Sequence, residues 1–234
     1  LRDDEIDYLL IRLDPPFDEN YLMHTWIFEQ FPDSCQVINA PNGVRTVNEK
    51  LWATQFRDLI PATWITRDAA QYMDILQKEG TVIVKPVQLF GGAGIFKVSA
   101  GDSNARVIFE SATQGGSPVI VQRFLPDAKQ GDKRIILVDG EPIGAILRVA
   151  AAGEHRNNFM AGGHAEATEI TARDQEIIQA LAPHLHELGL RFVGIDIIGG
   201  KLIEVNVTSP TCLQEMSHFA GERLEDKVME TLLS

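Results

Sequence analysis

Apolar positions in the first third of the chain fall into short runs with strand spacing, separated by stretches with helical spacing. IDYLLIRL, residues 6–13, reads as a strand rich in Ile and Leu. It stops at Asp14-Pro15-Pro16, where two prolines withdraw backbone donors. Tyr21 to Phe31 has helical spacing, CQVIN reads as a second short strand, and APNG reads as the turn that ends it. Thr46 is the expected N-cap of a helix running to about Leu59, with Glu49 at the capping-box position. After Pro61 come a strand, TWIT, and a helix from Asp68 to about Glu79.

From Thr81 strand periodicity dominates. TVIVKPV and IFKVSA flank the glycine-rich turn GGAG; a short helix or strand follows, then SPVIVQRFL. KRIILV, the turn DGEP and IGAILRV predict a hairpin. Ala150 to Glu169 shows little apolar periodicity, and loops of that length in compact domains commonly serve as lids or binding loops. Thr171 with Asp174 caps a helix whose Ile177, Ile178, Leu181, Leu185 and Leu188 share one face. FVGIDII and LIEVNV close the chain as a last hairpin. The sum is an α+β fold with antiparallel sheets, helices flanking them, and strand pairs on both sides of a cleft.

In KLIEVNVTSPT, residues 201–211, alternation puts Glu204, Asn206 and Thr208 on one face and Ile203, Val205 and Val207 on the other. Two polar groups on so apolar a strand call for a partner across the hairpin. A two-residue turn at Gly199-Gly200 would set Asp196 opposite Ile203. A three-residue loop, Gly199-Gly200-Lys201, sets Asp196 opposite Glu204 with the backbones about 5.5 Å apart, and this register is the expected one. Two carboxylates that close are unfavourable without a cation between them. Two acids and an amide, all oxygen donors, favour Mg²⁺ or Mn²⁺ over zinc.

Composition narrows the function further. A formal net charge of −12 argues against sequence-independent nucleic-acid binding, which needs a basic surface. No apolar run is long enough to cross a bilayer and no secretory leader is legible, so no membrane partner is expected. Cys35 and Cys212 lie far apart without C-x-x-C spacing, which suits a reducing compartment and predicts a cytoplasmic location; Cys212 reads as a small buried residue. His184 and His186 are two apart on a helix and cannot share a metal, while His155 and His164 in the long loop read as polar surface. Lys85 ends an apolar strand beside the GGAG turn. Because that turn joins two strands and no G-K-[ST] follows, it resembles a flap covering phosphates rather than a P-loop. Lys50 alone reads as a solvated lysine.

DPPFD, NEKLW, VIVKP with GGAGIF, QRFLP, GDKRIILVDGEP, GEHRNNFMAGG, FVGIDIIG and IEVNVTSPT, taken in order, resemble the ATP-grasp superfamily and most closely its bacterial glutathione synthetase family. The resemblance covers nearly the whole chain, and DPPFD and NVTSPT are specific to that family. It implies residues 1–46 as the end of an N-terminal α/β domain, 47–120 as a first ATP-grasp subdomain with the flap, and 121–234 as a second with the lid loop and metal site. It implies Lys50 and Lys85 on ATP phosphates, Gly91, Gly92 and Gly94 in the flap, main-chain groups of Gln122, Arg123, Phe124 and Leu125 at adenine, and Asp132 at the nucleotide. Arg134 and Arg148 would face the reacting carboxylate and the transferred phosphoryl group. Asp196, Glu204 and Asn206 would hold two Mg²⁺, Mn²⁺ being possible. Ser209 and Thr211, with Asn206, would lie at the peptide substrate, and Arg156 would close over it. Where the family often carries an arginine after the second Gly-Gly, this chain has His164. The implied reaction joins γ-glutamylcysteine to glycine through an acyl phosphate, with a homo-oligomeric enzyme expected. Two rivals are another ATP-grasp carboxylate–amine ligase and a nucleotide-binding module without catalysis.

Overall fold

A computed structural model describes residues 5–151 and 162–234. Two short parallel strands, β1 (Tyr8–Leu10) and β2 (Gln36–Ile38), flank α1 (Glu19–Phe28), whose N-cap Asp18 accepts from the Tyr21 N–H. β3 (Thr63–Thr66), α3 (Ala69–Glu79), β4 (Thr81–Pro86), β5 (Phe96–Ser99), α4 (Ala105–Thr113) and β6 (Val119–Arg123) build a four-stranded antiparallel sheet ordered β3-β6-β4-β5. The expected division at 120/121 falls within β6, which pairs with β3 and β4. Tyr72 and Phe109, stacked with centroids 4.5 Å apart, bind α3 and α4 to one face of this sheet.

The second sheet runs β11-β10-β7-β8-β9: β7 (Asp132–Val138), β8 (Glu141–Val149), β9 (His164–Ala167), β10 (Phe192–Ile198) and β11 (Lys201–Asn206), all antiparallel. One face packs Ile135, Leu137, Val193, Ile195, Leu202 and Val205 against α5 (Ala172–Glu187) through Ile177, Ile178, Leu181 and Leu185. The Thr171–Asp174 capping box forms as expected. On the opposite face β7 changes character along its length. Asp132 and Arg134 are charged, whereas Ile136 and Val138 pack with Met216 of α6 (Leu213–Ala220) and Leu224, Val228 and Leu232 of α7 (Leu224–Leu232). The helices therefore cover half of that face, and the charged half opens to the first sheet.

Several expectations need correction. Thr46 caps no helix: Pro41–Thr46 is itself α2, begun by Pro41 in the first turn, so APNG starts a helix instead of a turn. Asn48 makes the next bend, its Oδ1 accepting from the N–H groups of Lys50 (3.2 Å) and Leu51 (3.0 Å), and only a 3-10 turn, Trp52–Gln55, follows. The segment 164–167 is strand β9, paired with β8, where a loop was expected; Glu141 and Pro142 likewise belong to β8 rather than to its turn.

The last hairpin reaches the expected pairing by a different route. Gly199 and Gly200, at φ 54° and 70°, form a two-residue turn with Ile198 opposite Lys201. Two left-handed residues match the hairpin twist, so no third loop residue is needed. A bulge then shifts the register: Ile197 pairs with Leu202 and Asp196 with Glu204. The extra residue is Ile203, which the bulge turns into the cleft beside Glu204, while Leu202 takes its place in the core.

Candidate active site

Between the two sheets lies a cleft of about 610 Å³ lined by every sequence-predicted site residue except Gly94 and Arg156. Arg156 lies outside the described residues. Gly94 sits in the flap at φ 68°, where a Cβ would stand 3.0 Å from Leu89 and 3.1 Å from Pro86, so its role is to let the flap fold down on its own base. Gly91 and Gly92, at φ 61° and 79°, face the cleft between Phe90 and Ile95.

Four cations converge here, each held by a specific partner. Lys50 is no solvated helix residue: its Nζ donates to the Leu89 carbonyl at 2.6 Å and pairs with Glu204 at 3.1 Å, tying the segment after α2 to both the flap and β11. Lys85, at the end of β4, is 5% exposed, and its Nζ donates to Gln122 Oε1 at 3.2 Å. Gln122 in turn donates to Thr63 at 2.8 Å. Burial, with Lys50 nearby, pulls Lys85 down to about 8 against the opposing pull of Glu204 and Asp196. Arg134 grips Asp196 with Nε and, at 2.9 Å, with Nη2. Arg148 bridges Asp132 (2.6 Å) and Asp196 (3.0 Å).

The two aspartates respond in opposite directions. Burial alone would raise Asp196, but the two guanidiniums overcome it and hold its carboxyl below the usual range. Asp132, partly buried and close to the Asp196 charge, is pushed up despite Arg148. Asn206 donates weakly to Asp196 and to the Gly194 carbonyl, both at 3.4 Å. Among the described residues no three His, Cys, Asp or Glu side chains form a metal cluster. The available donor set is Asp196, Glu204 and the Asn206 amide, and its oxygens fit a hard divalent cation. Cationic side chains pair with both acids here: Lys50 with Glu204, and Arg134 and Arg148 with Asp196.

The rest of the cleft divides by chemistry. Ile83, Phe124, Leu125, Ala128, Ile198 and Ile203 make an apolar end, with Lys97 over the Phe124 ring at 4.1 Å. The N–H groups of Arg123 and Phe124 are engaged by the carbonyls of Ala62 (2.9 Å) and Thr81 (3.2 Å), so this segment has fewer free main-chain donors than expected. At the opposite end Ser209, Thr211 and Cys212 line the wall. Arg12 Nη2 donates to the Pro210 carbonyl at 3.0 Å, and Gly194 gives room for Pro210, whose Cβ would lie 2.9 Å from a Cβ placed there. Cys212 is buried, as expected, and burial raises its thiol. His164 is exposed and pairs with Glu166 at 3.1 Å.

Sequence reasoning missed Glu49, Asp14, Phe90 and Ile203 at the cleft. For Glu49 the signal was its place beside Lys50, hidden by the capping-box pattern. Ile203 had no signal, because a bulge is invisible to strict alternation.

Comparison with known proteins adds a consistent set of matches. The sequence model described as the ATP-grasp domain of prokaryotic glutathione synthetase matches residues 49–221, and that of the same family's N-terminal domain matches residues 1–45. The chain is 46% identical over 226 residues to the glutathione synthetase of Thermosynechococcus vestitus, covering 96% of this chain and 71% of that protein. To that of Pseudomonas aeruginosa it is 42% identical over 231 residues, covering 97% and 73%. Among solved structures it resembles a D-cycloserine synthetase (TM-score 0.73, 16% identity, 98% of this chain and 85% of that one). It also resembles the D-alanine–D-alanine ligase of Bacillus anthracis complexed with ATP (TM-score 0.66, 18% identity, 98% and 80%).

Proposed function

The chain belongs to the prokaryotic glutathione synthetase family, and from that premise we propose how its cleft divides the work of joining γ-glutamylcysteine to glycine. The protein is an ATP-dependent carbon–nitrogen ligase with the ATP-grasp fold, and it forms glutathione. ATP use and dependence on a divalent metal go with that family. The observation that carries the assignment of roles is the convergence of Lys50, Lys85, Arg134 and Arg148 on Asp196, Glu204 and Asn206 beneath a glycine flap.

In this reading the apolar end takes adenine, and Gln122 to Leu125 with Asp132 border the nucleotide. Lys50 and Lys85 take the phosphates under Gly91 and Gly92, with Gly94 holding the flap's shape. Two Mg²⁺ ions, or Mn²⁺, bound by Asp196, Glu204 and Asn206, would neutralise charge on the phosphate oxygens. Ser209 and Thr211 border the dipeptide; Arg156, outside the described residues, is assigned to the same substrate. A cysteinyl carboxylate oxygen attacks the γ-phosphorus, the bond to the β-bridging oxygen breaks, and ADP departs. Arg134 and Arg148 hold the carboxylate and the moving phosphoryl group in line, exchanging part of their contact with Asp196 and Asp132 for the substrate. The glycine amine then attacks the acyl carbon, loses a proton, and inorganic phosphate leaves. Phe90 and Ile95 of the flap keep water from the acyl phosphate.

The expected halves, 47–120 and 121–234 after an N-terminal unit at 1–46, are kept with their common boundary moved past the end of β6, so that this strand stays whole in the first half. A cytoplasmic homo-oligomer completes the proposal; no helix of the described residues is long and apolar enough to cross a membrane. The test is ADP release with γ-glutamylcysteine and glycine, each alone, and with other dipeptide and amino-acid pairs. Turnover that requires both named substrates is expected. Glycine-independent turnover, or preference for another pair, overturns the substrate assignment.

A further inference from the structure

β11 is the edge strand of its sheet, so its outer N–H groups need partners. Glu49 supplies them in an unusual way. Its backbone carbonyl accepts from the Val205 N–H at 2.9 Å. Its side-chain Oε1 accepts from the N–H groups of Val207 (3.0 Å) and Thr208 (3.1 Å) and from the Thr208 hydroxyl (2.8 Å). These bonds fall on both sides of Asn206, whose amide stands beside Asp196. The next residue along the chain is Lys50, whose Nζ meets Glu204 one step back on the same strand. One residue thus clamps the backbone that presents two oxygen donors and also carries, through the adjacent peptide, a cation to face them.

Building on the nucleotide and metal site proposed above, we infer that Glu49 is a positioning residue for it. Its part is played through the hydrogen bonds to Val205, Val207 and Thr208 rather than as a ligand of nucleotide or metal. It fixes the spacing of Asn206 and Glu204 against Lys50, so that phosphate cation and metal donors arrive as a unit. The bonds need an oxygen acceptor at Oε1, not a negative charge there. Glutamine keeps that acceptor, and alanine removes it.

The test is calorimetric binding of a non-hydrolysable ATP analogue to the full chain, with and without Mg²⁺, alongside thermal melts. Wild-type affinity should rise with Mg²⁺. In Glu49→Ala the Mg²⁺-supported affinity should fall by about ten- to a hundredfold, the usual cost of losing a residue that orients metal ligands. Glu49→Gln should stay within about threefold of wild type, because the acceptor is retained. A folded Glu49→Ala with wild-type Mg²⁺-supported affinity overturns the inference. So does a Glu49→Gln as defective as alanine, since the charge itself would then be in use. If Glu49→Ala gives no cooperative melt, Thr208→Val and Thr208→Ser decide: loss of the hydroxyl should weaken binding about threefold and its retention should not, and equal binding by both overturns the proposal. A wild-type chain that binds no nucleotide in either condition instead removes the site reading on which the inference stands.

Discussion

Lys85 offers a test in which stability and function move in opposite directions. Its ammonium is buried against Gln122, and its pKa falls from 10.5 to about 8. The folded chain therefore holds this proton less tightly than the unfolded chain. Between pH 8 and 10.5 the unfolded state binds more protons, so the contribution of Lys85 to stability rises with pH through that window. Below pH 8 the full penalty applies, and 1.36 kcal/mol per pKa unit makes it about 3 kcal/mol. Lys85→Met removes the penalty but leaves Gln122 Oε1 without its donor, at about 1 kcal/mol. The variant should thus be more stable than wild type by about 2 kcal/mol at pH 7. The advantage should shrink steadily as pH rises from 8 toward 10.5, where both states of the wild-type lysine become neutral. Urea unfolding of both proteins from pH 6 to 10 measures this directly, and titrating groups that do not interact with Lys85 cancel in the difference. The same variant should lose most affinity for nucleotide. A Lys85→Met that is less stable at pH 7, or a difference independent of pH, would refute the reasoning.

Other substitutions probe neighbouring parts of the site. Glu204→Gln should cut turnover at least a hundredfold, on the order of losing a metal donor, while changing unfolding free energy by no more than about 1 kcal/mol, since only the Lys50 pair is lost. Asp196→Asn should destabilise the chain by about 3–5 kcal/mol in urea at pH 7, because Arg134 and Arg148 lose a buried charge partner. Asp196 has a lowered folded pKa, so its contribution is present above the unfolded value and fades as pH falls through the lower folded one; the gap between wild type and Asp196→Asn should close only in strong acid. Gly43→Ala should cost about 1–3 kcal/mol in thermal unfolding, because a Cβ there meets the Leu188 carbonyl and pries α2 from the end of α5.

Most strands and the capped helix α5 were legible because each is written locally, in β-branched runs or a Thr-x-x-Asp cap. What escaped was decided at a distance. Thr46-x-x-Glu49 has the letters of a capping box, but Pro41 starts the helix earlier and Glu49 is claimed by Val207 and Thr208, about 160 residues away. The Asp196–Glu204 pair was anticipated from the need to balance two polar faces, yet it is delivered by a tight Gly-Gly turn and a bulge instead of a longer loop. Single-strand alternation could not see Ile203 turn into the cleft. Nor could the pattern predict that Arg134 and Arg148 would close on Asp196 and Lys50 on Glu204. That pairing follows from bringing opposite charges together in a low-dielectric cleft.

The central claim is that this cluster activates the cysteinyl carboxylate of γ-glutamylcysteine by phosphoryl transfer from ATP. Supplying that dipeptide with both oxygens of its cysteinyl carboxylate labelled with ¹⁸O, together with ATP, Mg²⁺ and glycine, tests it most directly. The account predicts one ¹⁸O in the inorganic phosphate for each glutathione formed, with ADP as the nucleotide product. Unlabelled phosphate, or AMP with pyrophosphate, would contradict it.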